Sequence, residues 1–232
     1  EASNMPVMME LRIRTCHVKG QFVCKDNVAP RLSKKNLLQE PASFNYMRLA
    51  HPPVTFAQEK RKVEHRLPAA RDYIVQHQLN EHFQGTTHAD LGLVVQGGLY
   101  NTLIRALQQF DLSDAFGVSR LSILVLNVTY PLVPAELTNF CKGKTAVLLL
   151  EEGQPEYIEQ ELALMLRRLD LQTPVHGKDM LQAAGEYSTV YVGGSGAEFR
   201  GVAAVPVDPS AFTLPTFSFS RTPSNTATAG LT

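Results

Sequence analysis

Three places in the sequence carry groups whose types and spacing could do chemistry. In LGLVVQGGLYNTLIRALQQF, Gly97 and Gly98 join an apolar run to an amphipathic one. A glycine pair between a buried strand and a helix exposes backbone N–H groups at the positive helix end, which suits a phosphate or carboxylate. Gly97, Gly98 and Asn101 are therefore the candidate residues of a small-anion site. The pattern is neither G-x-G-x-x-G nor a P-loop with its lysine, and a tight turn alone also asks for glycine. Glu151 and Glu152 follow a second apolar run at what would be the carboxyl edge of a sheet, where open α/β sheets place ligands. Adjacent side chains point different ways, so this pair is not a ready-made acid and base, and one of them is better used to cap the helix that follows Pro155. His77, His82 and His88 are spaced by five and six, which does not put two imidazoles on one helical face; they read as surface histidines of a polar helix. Cys16 and His17 would project to opposite sides of a strand, against a nucleophile and base pair. With no G-x-S-x-G and no H-E-x-x-H, no catalytic residue and no metal ligand is assigned.

The elements that would position these groups follow from periodicity. LGLVVQ, SILVLN and TAVLLL are apolar throughout, and each is followed by a helical pattern: residues 99–110, 134–140 and 155–169. Leu99, Leu103, Ala106, Leu107 and Phe110 form one helical stripe, and Ile158, Leu162, Met165 and Leu169 another. Fully apolar strands alternating with helices imply a doubly wound α/β domain with a mainly parallel sheet. A fourth short strand is expected at 173–176, and residues 185–199 are read as a helix. Upstream, the odd positions Val7, Met9, Leu11 and Ile13 alternate with polar ones, predicting a strand over 6–18 that needs a sheet to pair with. Left alone, that strand would pair with a second copy of itself, so a homo-oligomer is expected. Residues 26–55 hold four prolines and little periodicity; two helices follow, 56–66 with Thr55 as N-cap and Lys60 facing Glu64, then 68–83 begun by Pro68 and ended by Gly85.

Composition narrows the class further. Lys plus Arg and Asp plus Glu number 22 each, so no overall charge marks a nucleic-acid or anionic-membrane partner. No apolar run approaches the roughly 18 to 20 residues of a membrane span. The three widely spaced cysteines fit a reducing compartment, and the expected setting is cytoplasmic. The chain starts on Glu1 and ends in a Ser-, Thr-, Pro- and Ala-rich tail, which suggests a piece of something larger.

Long words in the sequence carry a resemblance. LGLVVQGGLYNTLIRALQQFDL, LSILVLNVTYPLVPAELTNFCKGKTAVLLLEEGQPEYIEQEL and LQTPVHGKDMLQAAGEY, with RIRTCHVKGQFVCKDN and FAQEKRKVEHRLPAA upstream, resemble the indolepyruvate:ferredoxin oxidoreductase family over about residues 5–185. The resemblance implies that the parent enzyme uses thiamine diphosphate with Mg and iron-sulfur clusters to decarboxylate aryl pyruvates oxidatively, with coenzyme A and ferredoxin as partners. It also implies a division of the chain: 1–26 as the end of a pyrimidine-binding-type thiamine domain, 27–88 as a linker with two helices, 89–200 as a transketolase C-terminal-like α/β domain, and 201–232 as a flexible tail or linker. The family's Gly-Asp-Gly metal motif and its cluster cysteines have no counterpart here, so this chain by itself is expected to hold no cofactor and to be inactive. The alternatives are a stand-alone small-anion binder and a dimerisation module.

Overall fold

A computed structural model describes residues 2–11, 23–24, 26, 51–181, 185 and 187. They fall into two compact units that divide between His77 and Gln78. The first contains one continuous helical stretch: α1 (Val54–Arg61), a π-helical turn (Lys62–Arg66) and α2 (Leu67–Gln76). The expected Lys60–Glu64 pair forms at 3.8 Å, beside a Lys62–Glu59 pair at 2.7 Å. Two expectations are corrected here. Thr55 lies inside α1, whose N-cap is Pro53 and has no side-chain bond. Pro68 does not start a separate helix, because the π turn widens the coil just before it. The N–H of Leu67 bonds to the Lys62 carbonyl, five residues back, which makes room for a proline ring that would crowd the carbonyl of a normal α turn.

The predicted N-terminal strand is not seen in its described part. Val7, Met8, Met9 and Leu11 are 88, 98, 75 and 75 % exposed, so odd and even positions are solvated alike and, among the described residues, the alternation meets no sheet. Residues 12–18 lie outside the described ones. So do nearly all of the expected helix at 185–199 and the tail.

The second unit is the expected α/β body. Its five strands are β1 (Glu81–Phe83), β2 (His88–Gln96), β3 (Leu121–Leu126), β4 (Ala146–Leu150) and β5 (Val175–His176), in the order β1-β3-β2-β4-β5. β1 runs antiparallel to β3, and the other pairings are parallel. The helix expected over 68–83 stops at Gln76, and its last residues form β1 instead. Gln78 takes a positive φ of 49°, which ends the coil. Asn80 then bonds Glu136 Oε2 at 2.7 Å through Nδ2 and accepts the Val128 N–H at 3.0 Å. These bonds hold the chain at the sheet margin.

Three helices cover the sheet: α3 (Tyr100–Gln109), α4 (Pro134–Cys141) and α5 (Tyr157–Arg168). Period-two geometry sends Leu91, Leu93, Val95, Leu121, Ile123, Val125, Leu148 and Leu150 to one face, under α3. Val94, Leu124, Leu126, Val147 and Leu149 go to the other, under α4 and α5. That is why the strands read as apolar throughout. Right-handed crossovers explain the split: β2 to β3 steps one way, whereas β3 to β4 and β4 to β5 step the other way, so the first helix and the later two lie on opposite faces. The strand order thus reverses at β2 and β4, a topological switch point.

Leu162 in α5 is fully buried and its neighbour Leu164 is 47 % exposed. Leu162→Ala is expected to cost about 2–5 kcal/mol and Leu164→Ala less than about 0.5 kcal/mol in urea unfolding.

Candidate functional site

The loops at the carboxyl ends of β2 and β4 leave for opposite faces, the position at which open α/β sheets place a ligand crevice. The sequence candidates Gly97–Gly98 and Glu151–Glu152 sit on these two loops. The structure therefore brings the anion candidate and the carboxylate pair to the same edge of the sheet. What happens there is decided by the chain's own side chains.

Gln96 closes the crevice from the β2 side: its Oε1 accepts the Glu152 N–H at 3.0 Å, linking the ends of β2 and β4. Gly97–Leu99 is a single 3₁₀ turn that runs into α3. Gly97 packs closely, because a Cβ there would collide with Asn127 Oδ1 and stand 3.3 Å from Asn127 Cα at the end of β3, so both would have to shift. Gly98 is exposed and its φ is not in the left-handed region. Asn101 is exposed in the first turn of α3, and no side chain caps that turn. Gly97 thus serves close packing, while Gly98 and Asn101 face solvent.

Glu151 is 5 % exposed and caps α5. Both of its carboxylate oxygens accept the Ile158 N–H at 3.1 Å, and Oε2 also accepts the Glu159 N–H at 3.1 Å. A negative charge at a helix N-terminus, holding N–H groups that have no partner within the helix, is the favoured arrangement. Glu152 points elsewhere, accepting the Tyr187 N–H on Oε1 at 2.6 Å. The two adjacent carboxylates diverge, as their spacing implies.

A segment that the strand-and-helix reading did not identify completes the edge. Met180, Leu181 and Tyr187 pack into the apolar cluster on the α3 face, and Tyr187 is 1 % exposed. Lys178 Nζ donates to the Tyr187 hydroxyl at 2.7 Å and lies 4.8 Å from its ring centroid. Burial pushes the Tyr187 hydroxyl pKa up, and Glu152, Glu159 and Glu151 push it further. Burial lowers the Lys178 pKa against the opposing pull of the surrounding carboxylates. Glu159 Oε2 accepts the Lys178 N–H at 3.0 Å, and its carboxylate occupies the place where any Cβ on Gly177 would stand. Asp179 accepts the Gly177 N–H on Oδ1 and pairs with His176 Nδ1 through Oδ2, both at 2.7 Å. The arrangement orients backbone; it ties three loops together through carboxylates and N–H groups.

The remaining candidates lie apart. His77 ends α2 with its ring 4.1 Å from that of Tyr73. His82 and His88 stand on β1 and β2, not on a polar helix as expected, and His82 meets Phe140 edge-on at 5.3 Å. Cys16 and His17 lie outside the described residues. Cys141, the last residue of α4, is buried, and burial pushes its thiol up to about 11. Three cysteines cannot supply a four-thiolate cluster. No three His, Cys, Asp or Glu side chains among the described residues are grouped as metal ligands.

Two outcomes follow from this geometry. Gly97→Ala is expected to destabilise the fold by about 1–3 kcal/mol through overpacking against Asn127, and Gly98→Ala by less than about 1 kcal/mol, in urea titrations. Burial is the main cause that raises the Glu159 pKa, opposed by the Lys178 N–H and helped by Asp179, Glu156 and Glu151. A carboxyl with a raised folded pKa binds more protons folded than unfolded. Its contribution is full below the ordinary glutamate value and is lost as pH rises through the folded value. Glu159→Gln, which still accepts the Lys178 N–H, should flatten that decline, so variant minus native stability rises with pH across the window. A pH series of urea melts with a constant difference would contradict this.

No family model matches the chain. Two curated proteins do. The indolepyruvate oxidoreductase subunit IorA of Methanothermobacter thermautotrophicus is 26% identical over 181 residues, covering 77% of this chain and 26% of that protein. The subunit of the same name from Methanothermobacter marburgensis is 24% identical over 178 residues, with the same coverage of each chain. The chain spans about a quarter of the length of these relatives. The matched stretch makes this chain a relative of the IorA subunits of indolepyruvate oxidoreductase, and it corresponds to one segment of them.

Proposed function

We propose that the chain is a non-catalytic structural segment of an indolepyruvate:ferredoxin oxidoreductase. The parent enzyme would oxidatively decarboxylate aryl pyruvates to acyl-coenzyme A while reducing ferredoxin. The observation that supports the reading is that Gln96, Glu152 and Tyr187, at the carboxyl edge of the sheet, hydrogen-bond to one another. In this reading residues 89–200 are a transketolase C-terminal-like domain, 27–88 link it to 1–26 at the end of a pyrimidine-binding-type thiamine domain, and 201–232 lead onward. The partners are the remaining domains of the parent, which hold thiamine diphosphate with Mg and the iron-sulfur clusters, and the setting is the cytoplasm. Among the described residues no helix is long and apolar enough to cross a membrane.

A second reading, a small-anion site at Gly97, Gly98 and Asn101, has one observation in its favour: the exposed turn there carries no side-chain cap. Calorimetry separates the two. The full chain is expected to give no saturable heat with thiamine diphosphate and Mg, or with phosphate. Micromolar, magnesium-dependent binding would overturn the structural reading, and phosphate binding lost in Asn101→Ala would promote the second.

A further inference from the structure

The opposite end of the sheet is finished differently. Among the described residues β1 is the terminal strand, paired on the β3 side only, and all three of its residues are exposed. Register sets the faces: Glu81 stands opposite Val125 and Phe83 opposite Ile123, so both project on the α3 side, two residues apart. The Phe83 ring stacks on Tyr100 at 5.4 Å, and the Tyr100 hydroxyl lies 3.7 Å from where a Cβ on Gly117 would stand. That glycine belongs to a loop presenting Phe116, 93 % exposed, and Val118, 54 % exposed.

The loop is braced. Asp114 Oδ1 accepts the N–H groups of Phe116 and Val118 at 2.9 and 2.8 Å, and the Asp114 N–H reaches the Val118 carbonyl at 3.1 Å. A solvated phenylalanine held by such a frame has little left to lose in conformational freedom on being covered, which favours binding. Glu81 adds selectivity. Its carboxylate raises the Tyr100 pKa after burial does, so it lies by these rings, and it forms no ion pair among the described residues.

We propose that the free edge of β1, with Phe83, Tyr100 and Phe116 beside it, receives an extended protein segment that adds as a sixth strand and presents a basic and an apolar side chain two residues apart. Backbone pairing supplies affinity and the alternate side chains supply choice. The apolar residue covers the Phe83 and Phe116 rings, and the basic one meets Glu81. The chain's own alternating stretch is a poor match, since its apolar residues Leu11 and Ile13 and its basic residues Arg12 and Arg14 fall on opposite faces. This inference does not depend on which enzyme the segment serves.

The test is selection of a displayed library of random eight-residue segments on the full chain, with amide shifts mapping the site and light scattering reporting self-association. Enriched sequences should carry Arg or Lys two positions from Val, Ile, Leu or Phe and shift the amides of Glu81–Phe83. Glu81→Lys, at an exposed position and expected to fold normally by circular dichroism, should weaken them at least about fivefold and select acidic residues instead. No enrichment, or enriched sequences that bind Glu81→Lys and Phe83→Ser equally well, would overturn the proposal. So would a dimer that Glu81→Lys dissociates, since the edge would then be an interface between copies.

Discussion

The buried carboxylate of Glu151 constrains the whole carboxyl edge of the sheet. At the end of β4 it is almost cut off from water, and its oxygens are satisfied by two N–H groups of the first turn of α5, one of them shared between both oxygens. Leaving such a group unsatisfied costs about 1–3 kcal/mol, and more when it is charged. The cap therefore sets where α5 begins. The start of α5 sets where Glu159 falls, and Glu159 in turn holds the Lys178 N–H with its carboxylate over Gly177. From Lys178 the links run to the Tyr187 hydroxyl, from the Tyr187 N–H to Glu152, and from the Glu152 N–H to Gln96 on β2. Each bond places the donor or acceptor of the next.

This circuit lies where a doubly wound sheet would otherwise hold a ligand. Polar groups at a strand edge can aim at a substrate or at one another, and here their partners are other parts of the chain. These bonds fasten β2, β4 and the segment after β5 to one another. The aromatic β1 margin is the contrasting end, where backbone and rings face outward.

How much of this could be read from the sequence depended on what each residue answers to. LGLVV, SILVL and AVLLL are buried on both faces, so burial alone decides them and their strand character was plain. The divergence of Glu151 and Glu152, and the capping by one of them, followed from local geometry. Glu81–Phe83 was lost to helix propensity because its strand identity comes from β3, about forty residues away in sequence and invisible to any local pattern. The π turn before Pro68 had no signal, since one extra residue in a helical turn leaves the composition unchanged. Gly97 and Gly98 looked equivalent, yet only Gly97 meets Asn127, a contact made by topology. Tyr187 fell in the run read as a helix over 185–199; Lys178 and the distant Glu152 are what define its place.

Native-state hydrogen exchange at single amides tests the closed edge most directly. The N–H groups of Glu152, Ile158, Glu159, Lys178 and Tyr187 should exchange slowly and together, with protection close to that of the β2–β4 ladder and unchanged by thiamine diphosphate, Mg or phosphate. Fast exchange at Glu152 and Tyr187 that slows when one of those ligands is added would mean that the crevice opens to receive it, and would contradict the account.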